Sequence, residues 1–140
     1  ATLTLGANGF VTNAAGTGFT GDRRGWGFDA QFVRGGWEFN AELLGQTAEP
    51  LTGRTIRSLG WSVLAAWTLP SAPAWRTVAR FESYEADTDL ADTTSENVVF
   101  GVVYRLKGDD LKLSFNYVLG DPAGPVSREG RFLTSAQIIY

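Results

Sequence analysis

The segment Leu111–Leu119 decides the fold. It reads Leu-Lys-Leu-Ser-Phe-Asn-Tyr-Val-Leu, so every second residue from Leu111 onward is large and apolar, while three of the four residues between them are polar. Side chains alternate between the two faces of a β-strand, whereas those of a helix repeat every 3.6 residues. The segment is therefore predicted to be a strand with one apolar face and one polar face.

The same alternation recurs along the whole chain, and no segment shows a helical period. Clusters of Gly, Pro, Asp and Asn separate eight such runs: roughly Thr2–Thr12, Gly25–Arg34, Trp37–Gln46, Ser58–Leu69, Trp75–Tyr84, Asn97–Lys107, Leu111–Leu119 and Arg131–Tyr140. Each has about the 9 to 11 residues that a tilted strand needs to cross a bilayer. We therefore expect residues 1–140 to be one all-β domain, since this length suits a single domain.

The connections between these runs alternate in length. Gly35-Gly36, residues 70–73 and residues 108–110 are short, whereas the polar segments 13–24, 47–57, 85–96 and 120–130 are long. Short turns on one side and long loops on the other are typical of an antiparallel up-and-down barrel in the bacterial outer membrane. In such a barrel both termini lie on the periplasmic side.

Alternation alone does not decide which face points outward. A water-soluble, lipocalin-like barrel would place the apolar face inside, whereas a membrane barrel places it against lipid. The aromatic residues on the apolar parity fall near strand ends, in the two belts that membrane interfaces favour. One belt comprises Phe32, Trp37, Trp67, Trp75, Tyr104 and Tyr140, and the other comprises Trp26, Trp61, Tyr117 and Phe132. This distribution favours lipid outside, with outer-membrane lipid and lipopolysaccharide as partners.

Charged residues concentrate on the other parity, which a membrane barrel turns toward its lumen. The predicted lumen or pore-lining charges are Asp29, Glu38, Glu42, Arg76, Arg80, Glu82, Arg105, Lys107 and Lys112. Small residues dominate the fourth strand between the two arginines and the glutamates of the third strand. If the chain closes as an eight-stranded barrel, the basic residues would have to pair with Asp29, Glu38, Glu42 and Glu82, and the sequence permits Arg76 and Arg80 to reach Glu38 and Glu42.

The composition excludes several classes of function. The chain has no Cys and no His, so it lacks the usual thiolate and imidazole metal ligands and the commonest general base. It has 15 acidic and 12 basic residues and no basic run, which argues against nucleic-acid binding. We expect no cofactor and no enzymatic activity. The uncharged segment 58–75 is not expected to be a membrane helix, because Pro70 and Pro73 interrupt it.

Five acidic residues, Glu85, Asp87, Asp89, Asp92 and Glu96, lie in or beside the third long loop. Carboxylate oxygens are suitable Ca²⁺ ligands, but the spacing is not that of an EF-hand loop. The segment is interpreted as a solvated surface loop.

Several segments resemble the C-terminal region of the phosphate-selective porin O/P family. They are Gly27-Phe28-Asp29, the Gly-Gly-Trp-Glu-Phe-Asn-Ala-Glu hairpin at 35–42, the Val-Ala-Arg-Phe-Glu-Ser-Tyr strand at 78–84 with its Asp-Thr-Asp loop, and the hairpin at 102–117. The last strand ends on an aromatic residue and is similar to the C-terminal signal read by the outer-membrane assembly machinery.

The resemblance implies an outer-membrane porin, but members of that family form sixteen-stranded barrels and this chain supplies eight strands. We expect passive diffusion of small, weakly anion-favoured solutes through a larger barrel, completed by a second copy or a further segment. The alternative is a closed eight-stranded barrel whose charges pair inside a plugged lumen. Such a protein would be a membrane anchor or interaction scaffold.

Overall fold

All eight predicted strands are present. The computed structural model describes residues 1–16, 19–107, 111–120 and 130–138. Its elements are β1 (Thr2–Gly16), β2 (Phe19–Arg34), β3 (Trp37–Pro50), β4 (Ile56–Thr68), β5 (Trp75–Glu85), β6 (Thr94–Lys107), β7 (Leu111–Gly120) and β8 (Arg131–Ile138). No helix long and apolar enough to span a membrane occurs in these ranges. The uncharged segment that includes Pro70 and Pro73 forms β4 and the turn after it.

The strands form one antiparallel sheet in the order β1-β2-β3-β4-β5-β6-β7-β8. Each strand pairs with its neighbours in sequence, which is the up-and-down arrangement predicted from the alternation. Within the described residues β1 and β8 do not pair with each other, so the sheet has two free edges. We call the end that carries connections 35–36 and 69–74 the turn end, and the end that carries 51–55 and 86–93 the loop end.

Two of the predicted long connections are much shorter in the structure. Residues 13–16 and 19–24 continue β1 and β2, and residues 47–50 and 56–57 continue β3 and β4. Polar cross-strand contacts support these extensions: Asn13 Nδ2 donates to Asp22 Oδ1 at 2.8 Å, and Arg24 lies 3.3 Å from Glu49. The polar composition of these residues predicts loops, but polar side chains that pair across neighbouring strands are compatible with a β-sheet. The connections 108–110 and 121–129 lie outside the described residues.

The two-residue connection between β2 and β3 has the local structure that its sequence predicts. Gly35 and Gly36 have φ values of 56° and 85°. A tight hairpin whose twist matches that of its strands needs positive φ at both positions, which glycine adopts without steric cost.

The hydrogen-bonded rows run obliquely across the sheet. One row passes through direct cross-strand partners: Leu3, Phe32, Phe39, Ala65, Ala79, Phe100, Tyr117 and Phe132. It begins beside the turn end of β1 and finishes beside the loop end of β8. The strands are therefore staggered, as closure of a tilted barrel requires.

The sheet has no conventional hydrophobic core. The buried hydrophobic residues of the described chain are Ala48, Ala66 and Val118, and all three lie on the face that carries the charges. Large apolar side chains on the opposite face are exposed: the exposed fraction is 56% for Phe28 and 53% for Phe100. This exposure is the reverse of that in a soluble barrel with its apolar face inside.

Candidate functional site

One face of the sheet is apolar across all eight strands. We call it the apolar face. It consists of the oblique row that runs from Leu3 through Phe100 to Phe132 and, along each strand, of every second residue counted from the member of that row. Cross-strand partners share a face, so the observed register joins the apolar parity of each strand to that of the next. This register is continuous except at the end of β6, where a bulge between Arg105 and Lys107 shifts the pairing.

Aromatic side chains cluster on this face near the turn end. The rings of Trp37 and Trp67 stack with centroids 5.6 Å apart, and Trp37 also stacks on Phe39 at 5.7 Å. Trp75 and Tyr104 form a second pair with centroids 4.6 Å apart. The aromatics assigned from the sequence to one belt are thus neighbours, apart from Tyr140, which lies outside the described residues.

A second aromatic group lies toward the loop end. Trp26 packs against Phe28 at 5.6 Å, Trp61 against Phe81 at 5.1 Å, and Tyr117 against Phe132 at 4.6 Å. On β4, Trp61 and Trp67 are six residues apart, which corresponds to about 20 Å along a strand. Smaller apolar side chains, including Ala41, Val63 and Ala79, fill the band between the two groups.

Charge on the apolar face occurs only near the strand ends. Among the described side chains, its charged residues are Arg34 at the turn end and Asp22, Arg24, Glu49, Arg57, Glu85 and Glu96 toward the loop end. Arg24 pairs with Glu49, and Arg57 lies 3.5 Å from Asp89. The band between these ends carries no described charge.

The opposite surface, which we call the polar face, carries the predicted lumen charges. Register places eight of the nine there: Asp29, Glu38, Glu42, Arg76, Arg80, Glu82, Arg105 and Lys112. The ninth, Lys107, follows a β-bulge and pairs with Leu111 instead of continuing the register of Arg105. Its side chain is not among those described. The parity argument, which assumed an unbroken strand, could not foresee this shift.

Glu38 is the centre of a hydrogen-bonded network on the polar face. Its carboxylate lies 2.6 Å from Nη2 of Arg76, two strands away, and accepts hydrogen bonds from Gln31 at 3.0 Å and Asn40 at 2.8 Å. Ala66 lies on β4 directly opposite Glu38 and is only 2% exposed. Its small side chain leaves room for the ion pair to pass over β4, a contact that the sequence permits.

Arg80 makes its ion pair within its own strand. It pairs with Glu82, two residues along the same strand, and not with Glu42. Glu82 is on the same face and nearer than a residue two strands away, so local geometry outweighs the longer contact. Glu42 lies directly opposite Asp29, and neither carboxylate has an ion-pair or hydrogen-bond partner within the described residues.

The basic residues near the turn end have a different environment. Arg105 and Lys112 are direct cross-strand partners, so two cations lie side by side. Arg105 donates to the hydroxyl of Thr68 at 3.2 Å, which is a neutral partner. Two basic residues are therefore adjacent at this end of the polar face.

An ion pair between two loops was missed by sequence reasoning. Asp87, interpreted as part of a solvated loop, is 5% exposed and pairs with Arg54 of the preceding loop. Its other carboxylate oxygen accepts the amide of Asp89 at 3.1 Å, and its carbonyl accepts the hydroxyl of Thr93 at 2.8 Å. The remaining acidic residues of this segment are exposed or half-buried. No group of three or more potential metal ligands occurs among the described residues.

Exposed apolar residues also occur on the polar face, and three of them lie close together: Phe10, Leu44 and Tyr84 are 51%, 44% and 49% exposed. The alternation that assigned charges to this face also assigns these residues to it, so the sequence alone is enough to place them on the polar face.

Comparisons of the chain with protein-family models, curated proteins and solved structures find no match.

Proposed function

We propose that this sheet is part of the wall of an outer-membrane β-barrel pore, through which small hydrophilic solutes diffuse passively. The observation that carries the proposal is the continuity of both faces through eight strands. An exposed, uncharged band bordered by two aromatic groups suits the hydrocarbon and interfacial regions of a bilayer. The opposite face supplies charged and hydrogen-bonding groups to water.

The staggered rows and the segments that resemble a porin family support the same proposal. In a barrel of about sixteen strands the interior is an aqueous channel, and the polar face becomes its wall. The free edges of β1 and β8 would then pair with further strands, from a second copy or from another segment. The outer-membrane assembly machinery would recognise β8, on which Phe132, Thr134, Ala136 and Ile138 share the apolar face.

The charge arrangement predicts only a weak preference for anions. Arg76 and Arg80 are each paired with a glutamate, so they contribute hydrogen-bond donors more than net charge. Arg105 and Lys112 attract anions near the turn end, while Asp29 and Glu42 oppose them farther along the wall. Charged rings bias passage in this way in other pores.

A second candidate is a closed eight-stranded barrel with a filled lumen, acting as an anchor or scaffold. It is favoured by apolar side chains on the polar face, such as Leu64, Val99 and Val118, which a water-filled channel does not require. An eight-stranded interior is just wide enough for side chains to fill.

Conductance in planar lipid bilayers distinguishes these two functions. Reconstituted protein that forms a pore should give steady single-channel openings, and Arg80→Glu should shift the reversal potential toward cation selectivity. Protein that is inserted, as judged by heat-modifiable gel migration, but never conducts would support the filled barrel. Identical migration before and after boiling would contradict both.

A further inference from the structure

We propose that the polar face contains a binding trough for a neutral, hydroxyl-rich solute such as a mono- or disaccharide. This inference rests on the proposed pore and names a class of solute that the pore would hold during passage. It starts from the cluster of Phe10, Leu44 and Tyr84 on that face, which neither charge selection nor ion pairing explains.

The trough follows one cross-strand row. Its members are direct partners from β1 to β6: Asn8, Gly27, Leu44, Gly60, Tyr84 and Ser95. Two adjoining depressions of about 180 and 240 Å³ share Leu44, Gly60 and Tyr84 in their lining. Together they reach the lower end of the range of small-molecule sites, about 300–1,000 Å³.

Glycine residues leave space along this row. Gly60 has no side chain, and a Cβ added there would meet Cδ2 of Tyr84 at 3.4 Å. At Gly27 an added Cβ would lie 2.8 Å from both Leu44 and Asn8, so those side chains extend over the glycine backbone. The floor is therefore formed by backbone and by the apolar surfaces of Leu44 and Tyr84.

Hydrogen-bonding groups flank the apolar floor on both sides. Toward the turn end lie Glu42, Asn97 and the ion pair of Arg80 with Glu82, and toward the loop end lie Gln46 and Ser58. The side-chain Oδ1 of Asn97 is buried and has no hydrogen-bond partner among the described residues. These groups both accept and donate hydrogen bonds, so they suit a ligand whose hydroxyls do the same.

A pyranose ring has this complementary chemistry. Its C–H faces pack against an aromatic ring, and its hydroxyls donate to carboxylate and amide oxygens around the rim. Arg80 neutralises Glu82, so the remaining charge in this lining is that of Glu42, which disfavours an anionic ligand. Phe10, Leu44 and Tyr84 offer apolar contact that a simple cation does not use. Large apolar surface combined with a few polar groups is typical of ligand sites.

The test uses glucose and maltose with the purified 140-residue chain. Isothermal titration calorimetry in detergent should detect binding, and both sugars should reduce single-channel current, whereas inorganic phosphate should not. Tyr84→Ala should weaken binding at least tenfold, about 1.4 kcal/mol, while Tyr84→Phe retains it. Phe10→Ala provides a second truncation in the trough. Leu133→Ala is the matched control, because Leu133 lies on the polar face of β8, is 53% exposed and is outside the trough.

Wild-type affinity in both Tyr84→Ala and Phe10→Ala, absence of sugar binding, or stronger Tyr84-dependent binding of phosphate would each overturn this inference. The outcomes remain separate from the proposed function. Channels without sugar binding would leave the pore intact and remove the trough. Sugar binding by folded protein that never conducts would leave the trough and remove the pore.

Discussion

Arg76 on β5 reaches across β4 to Glu38 on β3, and Nη2 and Oε2 lie 2.6 Å apart above the buried methyl group of Ala66. Both side chains are about one quarter exposed. This contact links three strands on the polar face through side chains alone, in addition to their backbone ladders.

Removing Glu38 should destabilise the sheet. Glu38→Gln keeps the size of the side chain but removes the charge that Arg76 faces and alters the hydrogen bonds from Gln31 and Asn40. Because a half-buried cation loses its partner, we expect a loss of about 1–3 kcal/mol in the free energy of unfolding. Urea unfolding in lipid vesicles measures it. Glu42→Gln is the control and should have little effect, since Glu42 has no such partner among the described residues. Equal losses in the two variants would show that the network contributes no specific stability.

The two faces should respond oppositely to an introduced charge. Val63 and Ser62 are adjacent on β4 but lie on the apolar and the polar face respectively. Val63→Lys should impair folding into vesicles by about 2–4 kcal/mol, the cost of a lysine facing lipid near the bilayer centre. Ser62→Lys should be tolerated. If Ser62→Lys disrupts folding and Val63→Lys does not, the assignment of the faces is reversed.

All five tryptophans should contact lipid. Trp26, Trp37, Trp61, Trp67 and Trp75 lie on the apolar face, and their ring contacts keep them near the two ends of the uncharged band. Brominated lipids should therefore quench most of the tryptophan fluorescence, whereas acrylamide in the water should quench little. Strong acrylamide quenching of protein in vesicles would mean that this face meets water.

The Arg54–Asp87 ion pair should protect the loop end from proteolysis. It joins the loops 51–55 and 86–93, and the amide of Thr88 also donates to the carbonyl of Arg57 at 2.8 Å. Asp87→Asn should weaken the junction and increase trypsin cleavage after Arg54 several-fold. Asp92→Asn, at an exposed position of the same loop, is the control. Unchanged cleavage in Asp87→Asn would show that backbone contacts hold these loops together without the charge.

Much of the fold could be predicted from the sequence because a strand's side-chain period is two. Leu111–Leu119 alternates strictly, and Gly35-Gly36 specifies a tight hairpin, so the eight strands and their faces follow from local rules. The extension of β1 to Gly16 was not predicted, since its stability depends on the neighbouring strand. Parity and the small residues of β4 permit Arg76 to reach Glu38, but they do not select this partner, since Glu42 has the same parity.

Alternation is a property of each strand, so the amino-acid order is enough to establish which side chains share a face. Contacts between residues of different strands depend on the tertiary structure. Register placed Asp29 opposite Glu42 and gave Arg80 to Glu82, while a bulge took Lys107 out of the pattern. It also buried Asp87 against Arg54 and aligned Leu44, Gly60 and Tyr84 in one trough. These relationships depend on distances between residues far apart in the chain, which a local period does not encode.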